Sequence, residues 1–226
     1  MRNIIAAGED SILIYFGDTI HPKLITIISN ATAQLKLQLG DLIIDLTPAY
    51  TSLLVHYNLN KINHQDFCEK VENCLSQLDE NAAALSSKLI HIPVYYGFDT
   101  GLDLEAMLAT KNLDLNSFIA IHSSTEYLVY AIGFSPVFAF LGEVDARIQT
   151  PRLATPRISI PAGSVGIADS QTAIYPTQSS GGWNIIGRTP LDLSLNNPKN
   201  IDKFSLSDRV KFTPITQAEY LAQGGQ

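Results

Sequence analysis

Residues 11–46 read SILIYFGDTIHPKLITIISNATAQLKLQLGDLIIDL, and the change of period inside this stretch decides how the first half of the chain folds. Ser11 to Phe16 is a short β-branched and aromatic run, the composition of a strand. After Pro22 the side chains of Leu24, Ile27, Ile28, Ala31 and Leu35 recur at the three-to-four spacing of one helical face. Gly40 ends that helix, because a residue without Cβ tolerates the backbone turn at a helix C-terminus. Asp41 to Leu46 then returns to strand composition. Outward from this stretch, Pro48 interrupts the chain before a third apolar run, Tyr50 to Tyr57. A second helix is expected next, with Asn63 as its cap, Asp66 in its first turn, and Phe67, Val71, Leu75 and Leu78 on its inner face. Lys88 to Tyr95 reads as one more strand. Strand, helix, strand, strand, helix, strand is the split βαβ or ferredoxin-like order, in which two helices cover one side of an antiparallel sheet.

After Gly97 the texture changes. Two short helical stretches, around Leu104 to Ala109 and Asp114 to His122, lead into short strands punctuated by Gly and Pro through Ile215. Most of the 11 prolines lie in this half, where they turn corners and fix loops but would spoil helices. That is the pattern of a β-barrel. The expected fold class is therefore α+β, with a ferredoxin-like domain over residues 1–92 and a β-barrel domain over 93–226.

Composition excludes several partners. Of the 226 residues 46% are hydrophobic and 16% charged, which favours a packed core and a charge-poor surface of the kind that meets other proteins. Net charge is -7, with 15 Lys and Arg against 22 Asp and Glu and no basic run, so a nucleic-acid backbone finds nothing continuous to bind. The apolar runs fall far short of the roughly 20 residues that cross a bilayer, and Met1 to Asp10 lacks a signal core, so a cytoplasmic location with no membrane contact is the expectation. Cys68 and Cys74 fall in one helix, about 9 Å apart along its axis and on different sides, where they cannot pair. No adjacent base in the sequence marks either as a reactive thiol, and helix packing is the expected role.

Four segments of the second half carry more Gly, Pro, Arg and aromatic residues than a plain barrel needs. They are His122 with Tyr127, Tyr130, Gly133, Phe134, Pro136 and Phe138; the pairs Pro151-Arg152 and Pro156-Arg157; Pro161 to Ile167 with Gln171, Thr172, Tyr175 and Pro176; and Gly181 to Pro190, which includes Trp183 and Arg188. Together with Gly8-Glu9-Asp10-Ser11, Phe16-Gly17-Asp18, Pro48 to Val55, Asp208-Arg209-Val210, Phe212 and Pro214-Ile215, they carry a family likeness. Over nearly its whole length the chain resembles the family of the B-type 5-oxoprolinase subunits, allophanate hydrolase subunit 1 and the Kip-type kinase inhibitors. The resemblance implies a cyclophilin-like form for the barrel, without prolyl isomerase activity. It also implies one component of an ATP-dependent complex that opens 5-oxoproline to glutamate, inactive alone, with a C-type subunit as close pair and an A-type subunit completing the set. Regulatory binding to a sensor histidine kinase, or an allophanate- or urea-related amidohydrolase role, is the alternative.

Each candidate site residue has a structural reading beside its functional one. His122, Arg152 and Arg188 are the catalytic candidates: His122 for proton transfer near neutral pH, the arginines as planar donor forks for carboxylate or phosphate. A buried hydrogen-bonded histidine, solvated loops and a barrel-closing contact explain them as well. Arg157, Gln171, Phe138, Trp183, Gly163 and Ser164 are the substrate-binding candidates. Arg157 is a second fork, Gln171 reads an amide, Phe138 and Trp183 wall an apolar pocket, and Gly163 and Ser164 offer backbone N–H groups. Barrel core and a tight corner are the corresponding structural readings. Ser164 lacks the Gly-x-Ser-x-Gly elbow of a hydrolase nucleophile, since position 162 is Ala. No metal-ligand spacing and no P-loop are present, so ATP is expected at the level of the complex, not on this chain, with phosphorylation of the lactam and attack by water implied by the reaction class. Val137, Asp169, Ala173 and Ser207 occupy positions where the resemblance implies glycine, and Ser180 one where it implies proline. A β-branched Val resists positive φ, so the loop around it is expected to differ.

Overall fold

Asn3–Ala6 (β1), a segment not read as a strand from the sequence, pairs antiparallel with Ser11–Tyr15 (β2). The computed structural model describes residues 3–83 and 87–226, and the chain divides into two units, Met1–Ser87 and Lys88–Gln226. In the first, β2 is followed by Pro22–Leu39 (α1), Ile43–Pro48 (β3), Ser52–Tyr57 (β4) and His64–Ser76 (α2). The sheet order is β1-β2-β4-β3, antiparallel throughout. His21 caps α1 by accepting from the Lys23 amide, with Pro22 in the first turn, and Asn63 caps α2 by accepting from Asp66. Ile25, Ile28, Ala31 and Leu35 of α1 and Phe67, Val71 and Leu75 of α2 are buried with Ile12, Ile14, Leu53 and Val55 of the sheet. Both cysteines are free. Cys68 does have a base nearby: His64 Nε2, one turn back, lies 3.6 Å from its sulfur. Burial, and then Glu72, push that thiol up from its ordinary value.

Lys88 to Tyr95 does form a strand, Leu89–Val94 (β5), but not in this sheet. It lies parallel to Arg209–Pro214 (β13) in the second unit. The edge position beside β2 that a closing strand would take is filled by β1. A hairpin neighbour a few residues away closes a far shorter loop than a strand arriving after α2 and so loses less chain entropy. The start of β5 is fixed instead by Asp208, buried and accepting from the amides of Lys88 at 3.0 Å and Ser205 at 2.8 Å.

In the second unit β5 is followed by Leu104–Lys111 (α3), Leu115–Ser124 (α4), Glu126–Ile132 (β6), Ala139–Gly142 (β7), Arg157–Ile160 (β8), Ser164–Ala168 (β9), Gln171–Ile174 (β10), Ser179–Gly181 (β11), Asn184–Arg188 (β12), β13 and Gln217–Ala222 (α5). Seven strands make one sheet in the order β12-β9-β10-β7-β6-β13-β5, and β8 with β11 makes a separate pair. The two edges of the seven-stranded sheet meet at a single bridge. Tyr95, just past β5, exchanges hydrogen bonds with Arg188 of β12, both at 2.9 Å, and the curled sheet is a nearly closed barrel. Gly187 makes that seam possible: a Cβ there would stand 2.6 Å from the Tyr95 carbonyl oxygen. The inner face carries Ile92, Val94, Val129, Leu141, Val165, Ile167, Val210 and Phe212, packed with Leu104, Met107, Phe118 and Ile121 of α3 and α4. A second cluster, on the other face of β7, β9, β10 and β12, holds Phe138, Tyr175, Trp183, Ile185 and Ile160 of β8. The fold is thus α+β, a ferredoxin-like sheet with two helices and a cyclophilin-like barrel.

Three of the four positions where glycine was implied keep the backbone that glycine would have: φ is 68° at Val137, 52° at Asp169 and 67° at Ser207. Ala173 is instead an ordinary buried residue of β10. The loop at Val137 therefore does not change shape to suit a β-branched residue. The left-handed conformation costs an L-residue about 1–2 kcal/mol, while Val137 buries its side chain to 5% exposure in the inner core, a gain of comparable size.

Candidate functional site

Four aromatic rings of the outer cluster converge on one hollow. Phe138 precedes β7 and Phe140 lies on it, Tyr175 follows β10, and Trp183 links β11 to β12. Phe138 meets Tyr175 at 5.3 Å and Trp183 at 5.9 Å, both nearly edge to face, the arrangement that the ring quadrupoles favour. With Phe134, Gly181, Gly182 and Arg152 these rings line a pocket of about 180 Å3. Gly181 keeps it tight: a Cβ there would lie 2.3 Å from the Tyr175 hydroxyl. Phe134, 67% exposed and with φ 68°, stands at the rim.

Arg152 is held over this pocket by its neighbours on both sides. Asn184 Nδ2 donates to the Pro151 carbonyl at 2.8 Å, and the Leu153 amide donates to the Gly182 carbonyl at 2.8 Å. Its guanidinium carbon lies 6.0 Å from the centre of the Trp183 ring. Burial pushes the Tyr175 hydroxyl up to about 12, partly offset by the Trp183 amide and the charges of Arg152 and Arg157, so it stays protonated and able to donate at neutral pH. Arg152, Phe138 and Trp183 are the site candidates that the fold brings together.

The remaining candidates are placed elsewhere or have their donors occupied. Arg157 grips Asp103 with both ends of its fork, at 2.9 and 2.6 Å, and Asp103 also accepts from the Ile185 amide at 2.7 Å. That contact fastens β8, and through the Arg157 and Gly181 register β11, to the start of α3 and to β12. Arg157 is thereby an anchor for the strand pair beside the pocket, since its fork already holds a carboxylate. Asp103, 54 residues away in sequence, gave no signal of this. Arg188 turns to the seam, donating to the carbonyls of Ala162 and Gln226, each at 2.7 Å; it lines a separate hollow of about 240 Å3 with Gly163 and Tyr220. Gly163, at φ 81°, donates its amide to Tyr175 and accepts from Thr189. Its N–H is not free for an oxyanion, and the segment is a barrel corner. Ser164 is buried with no hydrogen-bond partner for its hydroxyl among the described residues, and no base touches it to activate it. Gln171 opens β10 opposite Gly142 and Ala168, away from the aromatic pocket.

His122 is enclosed in the barrel at 0% exposure, against Phe212 at 4.6 Å. Its tautomer follows from its partners. Thr172 donates its hydroxyl to the Gly166 carbonyl at 3.0 Å, so it accepts from His122 Nε2 at 3.1 Å, and Nδ1 accepts from the Tyr96 hydroxyl at 2.8 Å. Burial lowers its pKa to about 3. A neutral imidazole with both nitrogens engaged and no solvent path is a core residue, and the geometry removes it from the catalytic candidates.

Two larger hollows lie on the first unit, of about 600 Å3 beside Ile4, Phe16 and Leu75 and about 670 Å3 beside Ile62 and Asn63. The first is edged by Glu72 and Glu80, charges that repel an anionic ligand, whereas the second carries Lys61 and Lys70 beside Asp66 and Glu69, so its charges balance. Among the described residues no group of three or more His, Cys, Asp or Glu side chains could hold a metal ion, and no helix is long and apolar enough to cross a membrane.

Comparison with known proteins places the fold and the chain. The family model described as carboxyltransferase domain, subdomain C and D, matches residues 2–201. The chain is 37% identical to the B-type subunit of 5-oxoprolinase from Bacillus subtilis (strain 168), over 95% of this chain and 93% of that protein. It is 36% identical to the corresponding 5-oxoprolinase subunit of Haemophilus influenzae, over 67% and 70%. Among solved structures, TTHA0988 matches with a TM-score of 0.79 at 28% identity, over 91% of this chain; the chain spans 40% of that longer one. The Kluyveromyces lactis urea carboxylase has the same fold over 99% of this chain and 23% of its own, with a TM-score of 0.73 at 18% identity.

Proposed function

This chain belongs to the carboxyltransferase subdomain C and D family, and we propose that it is the B-type subunit of an ATP-dependent 5-oxoprolinase, opening 5-oxoproline to glutamate together with an A-type and a C-type subunit. The observation that carries this reading is the nearly end-to-end likeness to the B-type 5-oxoprolinase subunit of Bacillus subtilis. The geometry agrees in kind. A pocket of about 180 Å3 lies below the ~300 Å3 from which ordinary ligand sites start, which suits a small ring and not a nucleotide. One guanidinium over a wall of aromatic rings suits a small anion, whereas a triphosphate is handled by several cations and a metal ion. We therefore assign nucleotide binding to another subunit, and this chain is inactive alone.

The test is reconstitution. The purified chain is mixed with its A-type and C-type partners and ATP-dependent glutamate formation is followed, with each subunit omitted in turn. Turnover by the full set and none after omission of this chain is expected. An intact complex that does not open 5-oxoproline refutes the proposal. Turnover of urea or allophanate by the same complex would move the chain to the amidohydrolase branch of its relatives, and binding of a histidine kinase domain without any turnover would make it a regulator.

A further inference from the structure

We infer that the hollow between Phe138, Tyr175 and Trp183 is a binding site for a small cyclic carboxylate, with Arg152 as the carboxylate's partner and the rings as the wall for its apolar edge. The identity of the probe rests on the function proposed above; the site rests on its own geometry.

The first observation is the arginine inventory. Five of the six arginines are described. Arg147 pairs with Asp145, Arg157 with Asp103 and Arg209 with Glu126, and Arg188 donates to two carbonyls. Arg152 alone makes no hydrogen bond or ion pair among the described residues, although the backbone on both sides of it is anchored. A guanidinium that is exposed at the pocket mouth, whose backbone is anchored and whose donors are open, is available to a planar anion.

The second observation is what Arg152 faces. Phe138, Tyr175 and Trp183 are 2%, 2% and 5% exposed, so a ligand meets ring edges already locked by packing. A volume of about 180 Å3 is the room of about six waters at ~30 Å3 each, the scale of a five-membered ring bearing one carboxylate. The protonated Tyr175 hydroxyl adds a neutral donor or acceptor for a ring amide. Asp103, the carboxylate tied to this region, is taken by Arg157 and does not compete for Arg152.

Trp183 is the only tryptophan of the chain, so the site carries its own reporter. The full-length chain is titrated with 5-oxoproline while Trp183 fluorescence is followed, with calorimetry as a second readout in case the ring is spectroscopically silent. Saturable binding is expected. The Arg152→Gln variant should bind at least about tenfold more weakly and Arg152→Lys to an intermediate degree, the scale of one charged hydrogen-bonded contact. The neutral lactam 2-pyrrolidinone should bind at least about tenfold more weakly than 5-oxoproline. No binding by either method, equal affinity for the two lactams, or an unchanged dissociation constant in Arg152→Gln overturns the site. The reconstituted complex separates this from the function: turnover undiminished in Arg152→Gln would discard the pocket and leave the 5-oxoprolinase reading, while Arg152-dependent binding without turnover would leave the pocket and discard that reading.

Discussion

Acid should loosen the barrel through one residue, His122, well before the carboxylates are protonated. The imidazole is neutral and enclosed, with a pKa of about 3 in the folded chain, against about 6.5 when unfolded. Its folded value is depressed, so between these limits the unfolded chain binds the additional proton and stability falls as pH falls. The loss follows from the binding polynomial. At pH 7.5 it is close to zero, and at pH 5.0 protonation of the unfolded state lowers the unfolding free energy by about 2 kcal/mol, with a limiting slope of about 1.4 kcal/mol per pH unit below that. The carboxylates held below their ordinary range, such as Asp145 at about 2 and Asp114, Asp192 and Glu219, lose their contribution only at lower pH. The assay is urea unfolding from pH 7.5 to 5.0, read by Trp183, which lies in the same unit as His122. His122→Gln should be less stable at pH 7.5, by about 1–3 kcal/mol for the buried partners it leaves imperfectly satisfied. Its stability should be about 2 kcal/mol less sensitive to this pH change, so that the two curves converge near pH 5. Equal pH dependence in the two proteins would refute the burial argument, because every other histidine is common to both.

Two other substitutions test the backbone. At Val137, with φ 68° and a buried side chain, both Val137→Ala and Val137→Gly should destabilise the barrel, but glycine should be the milder by about 1 kcal/mol in chemical denaturation because it alone escapes the left-handed penalty. Alanine as stable as or more stable than glycine would show that the backbone relaxes. At Gly187 a methyl group would meet the Tyr95 carbonyl, so Gly187→Ala should lose about 2 kcal/mol or more by forcing the seam apart, with faster hydrogen exchange at the Tyr95 and Arg188 amides; unchanged exchange there would show that the seam accommodates the methyl group.

Element type followed from local pattern up to Tyr95 and in the two helices after Gly97, while β6 to β13 were read only together as a barrel, since a period of two or of three to four residues is a property of neighbours in the chain. The helices α1 to α4 and the strand character of β2 to β5 were legible for that reason. The short N-terminal strand was not, because four residues carry too little periodicity, and α5 was missed although Thr216 and Glu219 form a capping box at its start. Which sheet β5 joins was not legible at all. Both sheets offer an edge to an apolar strand, and loop closure with β1 and the Asp208 contact decide between them.

The sequence by itself determined the alternation that makes two sheets, the family motifs, and the chemical types available to a site: one tryptophan, a handful of arginines and a cluster of aromatic residues. Only the tertiary structure decided which arginine is open. Arg152 and Arg157 each follow a proline and Arg188 a glycine, yet Asp103 holds Arg157, the Ala162 and Gln226 carbonyls hold Arg188, and Arg152 is left over Trp183. His122 moved from candidate base to core for the same reason. Whether a polar group is available to a ligand depends on the partners that long-range packing places within about 3 Å of it, and those partners here come from 26 to 54 residues away.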